Sequence, residues 1–292
     1  DTDVTVPTAL NADGIVRTVY SLGDYLFDGK VTVFRFNSDM PLSANTFGAA
    51  DNLAHLVVSI MDGPNQRELL NANITYIRNA FENIASLNEL SISAVDTLRN
   101  LFGNVNPPAS LKKVNILNDR TSLPANMFYN AMHIEEVTIP AAIEVIGNYA
   151  FYGCYSLTTV TIAPGSQLNH IGASAFENCV SLMHIGLPST VNKIESDAFK
   201  ATPFIANATE EFVVLGNGIL YAYRGNAEIV MLPKEIRQIN ENAFRGASLR
   251  SFMFEEGSVL TSVGNYAFAE AVNLEHAIFP ETMAAIGEGA FY

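Results

Sequence analysis

The chain has 292 residues, of which 49% are hydrophobic, and this apolar share is large enough for a continuous folded core. Its 30 acidic and 16 basic residues give a formal net charge of -14, which repels phosphate backbones and argues against nucleic acid as a partner. No apolar stretch approaches the roughly 18 residues that a spanning helix needs, so we expect no membrane insertion by this segment.

The N-terminal part of the chain carries only weak repeats. Residues 1–21 precede the repeats and are predicted to form an N-terminal cap. Residues 22–133 repeat in a degenerate form, in which a phenylalanine leads into a run of alternating apolar residues, as Phe81 leads into Leu87–Ile92. The other phenylalanines of this frame are Phe27, Phe47, Phe102 and Phe128. Residues 61–65 carry turn signals that predict a surface loop.

Residues 134–292 repeat regularly, with an Ala-Phe pair about every 24 residues and one gap of nearly twice that length. A β-branched residue stands before each pair and is usually followed by glycine, as in Ile146-Gly147, and we expect this glycine to permit a tight bend. A strand-like run follows, with apolar residues at its first, fourth and sixth places, as in Leu157–Ile162. This spacing is the leucine-rich signature. The phenylalanines of the pairs are Phe151, Phe176, Phe199, Phe244, Phe268 and Phe291.

The period predicts the architecture. A unit of this length cannot bury its own apolar face, but stacked units place strand beside strand and share one interior. We therefore predict an α/β repeat fold, a curved right-handed leucine-rich-repeat solenoid with a strand plus a short helix or turn in each coil. The phenylalanines of successive coils are expected to line up in an inward aromatic row.

The long gap between Phe199 and Phe244 predicts an insertion at about residues 203–226. Two β-prone runs flank Asn217-Gly218, a dipeptide typical of hairpin turns. We therefore predict a β-hairpin insertion that interrupts the repeats.

Residues 146–162 read Ile-Gly-Asn-Tyr-Ala-Phe-Tyr-Gly-Cys-Tyr-Ser-Leu-Thr-Thr-Val-Thr-Ile and resemble the repeat of BspA-like leucine-rich-repeat surface proteins. Residues 171–187 and 263–279 follow the same pattern, and residues 216–221 resemble an insertion of that family. The resemblance implies a bacterial protein of host-associated microbes that adheres to host matrix proteins or other cells. It also implies an extracellular or outer-surface location, with a signal peptide or anchor already removed.

Candidate ligand-binding residues lie at places 2, 3 and 5 of each strand, which point outward onto the concave face because side chains alternate along a strand. They are Thr158, Thr159, Thr161, Met183, His184, Arg250 and His276. The middle of this face is predicted to contact a host extracellular-matrix or cell-surface protein, or a glycan. The alternative is a structural spacer module of a larger surface protein, whose sheet face has no dedicated ligand.

Cys154 and Cys179 occupy the same place in consecutive units, so stacking brings their backbones within disulfide range. Two alternatives follow, namely a disulfide and a pair of buried free thiols. Side chains at equivalent places of a stack run parallel and do not aim at each other, which favours the free thiols.

Metal and catalytic chemistry are not indicated by the sequence. His55, His184 and His276 fall in units far apart along the array, so they cannot converge on one ion. The chain lacks a Gly-x-Ser-x-Gly elbow, a phosphate-binding glycine loop and a His-Glu-x-x-His motif. We therefore expect no cofactor and no enzyme activity, and a function in presenting a surface to partners.

Overall fold

The computed structural model describes residues 3–5, 9–12, 15–18, 33–37, 53–59, 84–93, 107–118 and 120–292. In these ranges the chain forms a β-solenoid with three sides. Each regular turn gives a strand of up to four residues to one side, a two-residue strand to a second side, and a turn segment to the third, which we call the turn side. Phe27, Phe47, Phe81, Phe102 and the predicted loop at residues 61–65 lie outside the described residues.

The longer strands form two parallel sheets. The first sheet has the order β1 (Asp3–Thr5), β4 (Val33–Asn37), β5 (His55–Ser59), β6 (Glu89–Ile92), β7 (Lys113–Ile116), β9 (Glu136–Ile139), β11 (Thr159–Ile162) and β13 (His184–Ile185). The other of these two, which we call the third sheet, contains β17 (Ile229–Leu232), β19 (Ser251–Phe254) and β21 (His276–Ala277). Equivalent residues of successive turns pair, as Thr159 does with Glu136 on one side and His184 on the other. Like residues therefore stack in ladders along the solenoid.

The short strands form the second side of the solenoid. The second sheet contains β8 (Ser122–Leu123), β10 (Val145–Ile146), β12 (His170–Ile171) and β14 (Lys193–Ile194). The fourth sheet contains β15 (Phe212–Leu215), β16 (Ile219–Tyr223), β18 (Gln238–Ile239), β20 (Ser262–Val263) and β22 (Ala285–Ile286). The isoleucine or valine of each regular short strand points inward and is buried in most turns, because strand side chains alternate between the two faces.

The insertion occupies the boundary between these sheets. Residues 203–206 form a short helix, α1 (Pro203–Ala206), which Thr202 caps by accepting a hydrogen bond from the Ile205 amide at 3.4 Å. Strands β15 and β16 then pair antiparallel around Gly216 and Gly218, both of which have positive φ. Strand β16 also pairs parallel with β18, so the returning strand is part of the second side of the solenoid.

Strands β2 (Ala9–Ala12) and β3 (Ile15–Thr18) pair antiparallel near the N-terminus, while β1 joins the edge of the first sheet through β4. That residues 1–21 act as a cap stays a prediction.

The predicted aromatic row is confirmed. Phe128, Phe151, Phe176 and Phe199 are buried and stack in sequence, with ring centroids 5.4, 5.1 and 5.4 Å apart and planes within 11° of parallel. A second row follows the insertion and contains Tyr223, Phe244, Phe268 and Phe291. The buried residues of the described ranges correspondingly form two clusters, and the boundary between the clusters falls inside β16, between Ile219 and Leu220.

Of the two predicted alternatives for this side, a short helix or a turn, the regular turns have the turn. Two places in each regular turn, two residues before and two residues after the phenylalanine, have φ between 52° and 70°. A left-handed residue cannot continue a right-handed helix, so two such places in five residues enforce turns. They are Asn126, Asn130, Tyr149, Gly153, Ser174, Asn178, Asp197, Ala201, Asn242, Gly246, Tyr266 and Glu270.

Exchanging residues at one of these places tests the backbone strain directly. Ala201 and Gly246 hold the same place in two turns, with φ of 58° and 69°. We expect Ala201→Gly to raise the free energy of unfolding and Gly246→Ala to lower it, each by about 1 kcal/mol, because a Cβ disfavours the left-handed region. An added Cβ at Gly246 meets nothing within 4 Å, so packing does not contribute. Urea denaturation followed by circular dichroism measures both, and shifts of the same sign in the two variants would contradict the strain.

The glycine after the β-branched residue has a different role from the one predicted. Gly147 and Gly172 do not have positive φ, so the backbone conformation itself does not require glycine at these places. An added Cβ at Gly147 would lie 2.5 Å from the Ala125 nitrogen and 2.7 Å from the Leu123 carbonyl oxygen of the preceding turn. The glycine is needed because two backbones approach too closely for any side chain.

Both cysteines are free thiols in the structure. The Cys154 Sγ donates to the Phe128 carbonyl oxygen at 3.3 Å, and the Cys179 Sγ donates to the Phe151 carbonyl oxygen at 3.2 Å. Burial raises the pKa of Cys154 and raises that of Cys179 to about 12. Each thiol therefore stays protonated near neutral pH and fills space beside the aromatic row.

Candidate binding surface

Five of the seven candidate residues lie together on the outward face of β11 and β13. Thr158, Thr159, Thr161, Met183 and His184 are all exposed, and Met183 leaves 67% of its surface accessible. Strands β11 and β13 pair directly, with Thr159 opposite His184. The inward residues between them, such as Val160 and Ile185, are buried and hold the two strands in place. We call these five residues the β11–β13 surface.

The other two candidates, Arg250 and His276, lie in a different part of the molecule. Arg250 directly precedes β19 and His276 begins β21, both in the third sheet. That sheet shares no strand with the first sheet, because α1 and the hairpin occupy the boundary between them. The seven residues therefore do not form one site.

Arg250 also has a partner of its own. Its guanidinium donates to both carboxylate oxygens of Glu275, at 2.8 and 3.1 Å. Both bonds come from one nitrogen, Nη2, and hydrogen bonds between charged groups are stronger than neutral ones. An external ligand would have to compete with Glu275 for Arg250, which weakens Arg250 as a contact residue.

The outward face of β5, β6 and β7 carries a polar network that the sequence analysis did not predict. The Glu89 carboxylate accepts from Asn115 Nδ2 at 2.5 Å and lies 3.7 Å from Lys113 Nζ. His55 Nε2 lies 2.9 Å from Ser91 Oγ, and Lys112 Nζ lies 2.7 Å from the carboxylate of Glu135. These side chains bind one another across the strands, whereas the β11–β13 surface offers hydroxyl groups and an apolar side chain to solvent.

The β11–β13 surface also has internal contacts, but none of those within the described ranges is an ion pair. Thr158 Oγ1 donates to the Glu135 carbonyl oxygen at 3.1 Å and lies 3.4 Å from Thr159 Oγ1. The His184 ring packs edge-on against Phe204 of α1, with centroids 6.4 Å apart. Helix α1 is also joined to this edge by the Phe204 amide, which donates to the Leu182 carbonyl oxygen at 2.8 Å. The edge of the first sheet is thus covered, and its outward face stays open.

A second cluster missed by the sequence analysis lies on the second sheet. The Glu195 carboxylate is 3.0 Å from His170 Nε2 and 2.7 Å from Lys193 Nζ, and it accepts from the Ala173 amide at 3.2 Å. Partial burial alone would raise the pKa of Glu195, but the hydrogen bonds and charges of Lys193 and His170 lower it overall. The cluster joins two successive turns, and we assign it to stability because every member has a partner.

The third sheet exposes apolar side chains. Met231 and Met253 pair across β17 and β19, with 48% and 37% of their surfaces accessible, and Ile278 follows β21 with 67% accessible. Alternation alone could have placed Met253 and Ile278 outward, but the exposure of Met231 depends on where the repeat resumes after the insertion. This row gives the third sheet a more apolar outward face than the network of β5, β6 and β7.

The described ranges contain no group of three or more histidine, cysteine, aspartate or glutamate side chains placed to hold a metal ion. Within the same ranges, no helix has the length and apolar character to cross a bilayer.

Comparison with family models gives a match to the BspA type leucine rich repeat region. Six copies cover residues 77–206 and 217–292, which is more than half of the chain. The chain belongs to the BspA-type leucine-rich repeat family. The interval between the two matched ranges, residues 207–216, falls within the insertion and contains β15. No curated protein matches this BspA-type chain.

Several crystal structures of leucine-rich-repeat proteins are similar to the chain. The pneumococcal vaccine antigen PcpA is 18% identical with a TM-score of 0.34, over 97% of this chain and 62% of its own. A leucine rich cell surface protein of Faecalibacterium prausnitzii is 17% identical with a TM-score of 0.35, and the match covers 97% of this chain and 70% of that protein. A leucine-rich repeat protein of T. pallidum is 20% identical with a TM-score of 0.33, over 68% and 73%. The chain thus spans less than two thirds of the length of PcpA.

Proposed function

We propose that this chain is a non-enzymatic bacterial protein of the cell surface or the secreted fraction, which binds host extracellular-matrix or cell-surface proteins, or glycans. Its membership of the BspA-type family supports a surface role, because the repeats of that family belong to surface proteins. Solenoids present long continuous faces that commonly serve in recognition. Adhesion to a host partner is the finer part of the proposal.

The observation that carries the proposal is the β11–β13 surface. Three threonine hydroxyls and the 67% exposed Met183 lie side by side on two paired strands. Hydroxyl groups can both donate and accept hydrogen bonds, and an exposed methionine offers a polarisable apolar contact. Strands β5, β6 and β7 of the same sheet instead pair their charged side chains with one another. A ligand on the β11–β13 surface would therefore displace few internal bonds.

A structural spacer is the second candidate, and the polar network of β5, β6 and β7 favours it. Groups such as Glu89, Lys113 and Asn115 satisfy one another, as expected for a face that only has to stay soluble. A spacer would bind no partner saturably and would tolerate substitutions on every outward face.

The test is a binding screen followed by substitution. Purified extracellular-matrix proteins and a glycan array are probed with the chain, and surface plasmon resonance gives the Kd of any saturable partner. We expect alanine at all five residues of the β11–β13 surface to weaken binding by at least about tenfold, the size of effect that a central contact cluster has. Stability is expected to change little, because all five side chains are exposed.

The matched control is the double variant Tyr155→Ala and Val180→Ala. These residues are 42% and 51% exposed in the turns that lead into β11 and β13, outside the β11–β13 surface. The control is expected to bind its partner like the parent chain. Equal weakening in both variants would point away from this surface, and no saturable partner in the screen would favour the spacer.

A further inference from the structure

The turn side carries a ladder of backbone hydrogen bonds that is interrupted at the insertion. In a regular turn, three amides donate to carbonyl oxygens of the next turn. They are the amide of the phenylalanine, the amide of the residue two places before it and the amide of the residue two places after it. In the turn of Phe176 the three acceptors are the carbonyl oxygens of Ser196, Ala198 and Lys200, at 3.0, 2.7 and 2.9 Å. In the turn of Phe244 they are those of Asn265, Ala267 and Ala269, at 3.3, 2.7 and 2.8 Å.

The interruption lies between the turn of Phe199, which we call its N-terminal wall, and the turn of Phe244, its C-terminal wall. On the N-terminal wall only the central bond of the ladder is present. The Phe199 amide donates to Tyr221 Oη at 3.0 Å, so a side-chain hydroxyl replaces the carbonyl oxygen of a further turn. The flanking amides of Asp197 and Ala201 find no acceptor in the described part of the chain. Backbone amides are strong donors, and an unpaired one facing a cavity is available to a ligand.

The C-terminal wall has unpaired carbonyl oxygens at the two flanking places. The Ala243 carbonyl oxygen accepts from the Tyr223 amide at 2.8 Å and is satisfied. The Glu241 and Arg245 carbonyl oxygens hold the two flanking acceptor places, and no donor reaches them from residues 120–292 or the other described ranges. One wall therefore offers two amide donors, and the facing wall offers two carbonyl acceptors.

A cavity of about 310 Å³ lies at this interruption. Its lining includes Asp197, Lys200, Ala201, Ala206, Tyr221 and Glu241. This volume is at the lower end of the about 300–1,000 Å³ found for ligand pockets, so it admits a few residues of a peptide and no folded element.

The cavity is acidic. It is lined by the carboxylates of Asp197 and Glu241, and Lys200, the one cation among the described residues of the lining, is already 3.0 Å from Asp197 and 3.5 Å from Glu177. Partial burial and the nearby Asp197 charge raise the pKa of Glu241. The wall thus has an excess of negative charge that a cationic ligand would offset.

We propose that this cavity, which we call the insertion cavity, binds a short peptide segment that carries a lysine or arginine side chain. A peptide group has both a donor and an acceptor, which match the amides of Asp197 and Ala201 and the carbonyl oxygen of Glu241. The cationic side chain pairs with the Glu241 and Asp197 carboxylates. The site is separate from the β11–β13 surface, so either can fail alone.

The test follows the amide signals of ¹⁵N-labelled protein by NMR during titration with acetyl-Ala-Lys-Ala-amide. We expect saturable shifts at the amides of Asp197 and Ala201, and much smaller shifts with acetyl-Ala-Glu-Ala-amide. Equal shifts with both peptides, or none at millimolar lysine peptide, would overturn the proposal. Shifts at these amides that grow with protein concentration without peptide would instead assign the cavity to a second copy of the chain, and would also overturn it.

Substitutions locate the binding. Glu241→Gln is expected to weaken the lysine peptide by about tenfold, because one charge-assisted hydrogen bond is lost. Glu288→Gln is the matched control, since Glu288 holds the same place in the turn of Phe291, outside the insertion cavity, and is exposed. Ala206→Trp is expected to fill the cavity and abolish binding without altering its charges. Binding that survives both Glu241→Gln and Ala206→Trp would place the peptide elsewhere and refute the assignment.

Discussion

Replacing Phe176 with alanine should lower the free energy of unfolding by about 3–5 kcal/mol, the usual cost of truncating a buried phenylalanine. The Phe176 ring is fully buried and stacks between Phe151 at 5.1 Å and Phe199 at 5.4 Å. Alanine would remove both stacking contacts and leave a cavity in the middle of the row. Neighbouring turns are joined by backbone hydrogen bonds and by such side-chain contacts, so the loss weakens the interfaces of one turn with the next.

Two variants separate stacking from volume and from position. Phe176→Leu keeps most of the apolar volume but loses the ring. It should lower the free energy of unfolding by less than about 1.5 kcal/mol for the change of shape and by a further ~0.5–1.5 kcal/mol for the lost aromatic stacking. Phe291→Ala truncates a ring that is 44% exposed and contacts the row on one side only, at Phe268. Urea denaturation followed by circular dichroism suits a chain without tryptophan. If Phe176→Ala and Phe291→Ala had equal effects, the row would not be part of the core.

The sequence predicted the solenoid and the aromatic row because both depend on period alone. A buried ladder needs the same kind of residue at the same place in each turn, and Phe151, Phe176, Phe244 and Phe268 meet that condition visibly. The outward exposure of Thr158, Thr159 and Thr161 follows equally from strand alternation. Their role as ligand contacts stays a prediction, because exposure does not reveal a partner.

The turn side could not be predicted in the same way. Tyr149, Ser174, Asp197 and Glu270 hold left-handed places that most residue types avoid, and asparagine or glycine marks only six of the twelve places. The conformation is imposed by the amide and carbonyl ladder between turns, which depends on the neighbouring coils. The period therefore left a short helix and a turn as alternatives, and the structure has the turn.

The candidate surface was only partly predictable for a related reason. Arg250 and His276 match Thr158 and His184 in their places within the repeat, but the insertion divides the strands into two sheets. The place of a residue within a repeat determines whether its side chain points outward. It does not determine to which of the two sheets its strand belongs. The replacement of a carbonyl oxygen by Tyr221 Oη had no sequence signal, because it requires the length and angle of one tyrosine across a gap.

Gly147→Ala is expected to lower the free energy of unfolding by about 2–3 kcal/mol, because Gly147 lies against the backbone of the preceding turn. The three atoms nearest to an added Cβ are the Ala125 nitrogen, the Leu123 carbonyl oxygen and the Pro124 carbonyl carbon, at 2.5, 2.7 and 2.8 Å. All three belong to backbone, so no side chain can rotate away to make room. The two turns would have to separate locally.

Such a separation would weaken the bond from the Gly147 amide to the Leu123 carbonyl oxygen, now 2.9 Å long, together with the pairing of β8 with β10. Gly186→Ala is the matched control, because Gly186 is exposed, has no positive φ, and has nothing within 4 Å of an added Cβ. Urea denaturation should show a clear loss for the first variant and almost none for the second. Since the glycines at 172, 264 and 287 have the same kind of backbone contact, a neutral Gly147→Ala would mean that close approach between turns does not explain this glycine in the repeat.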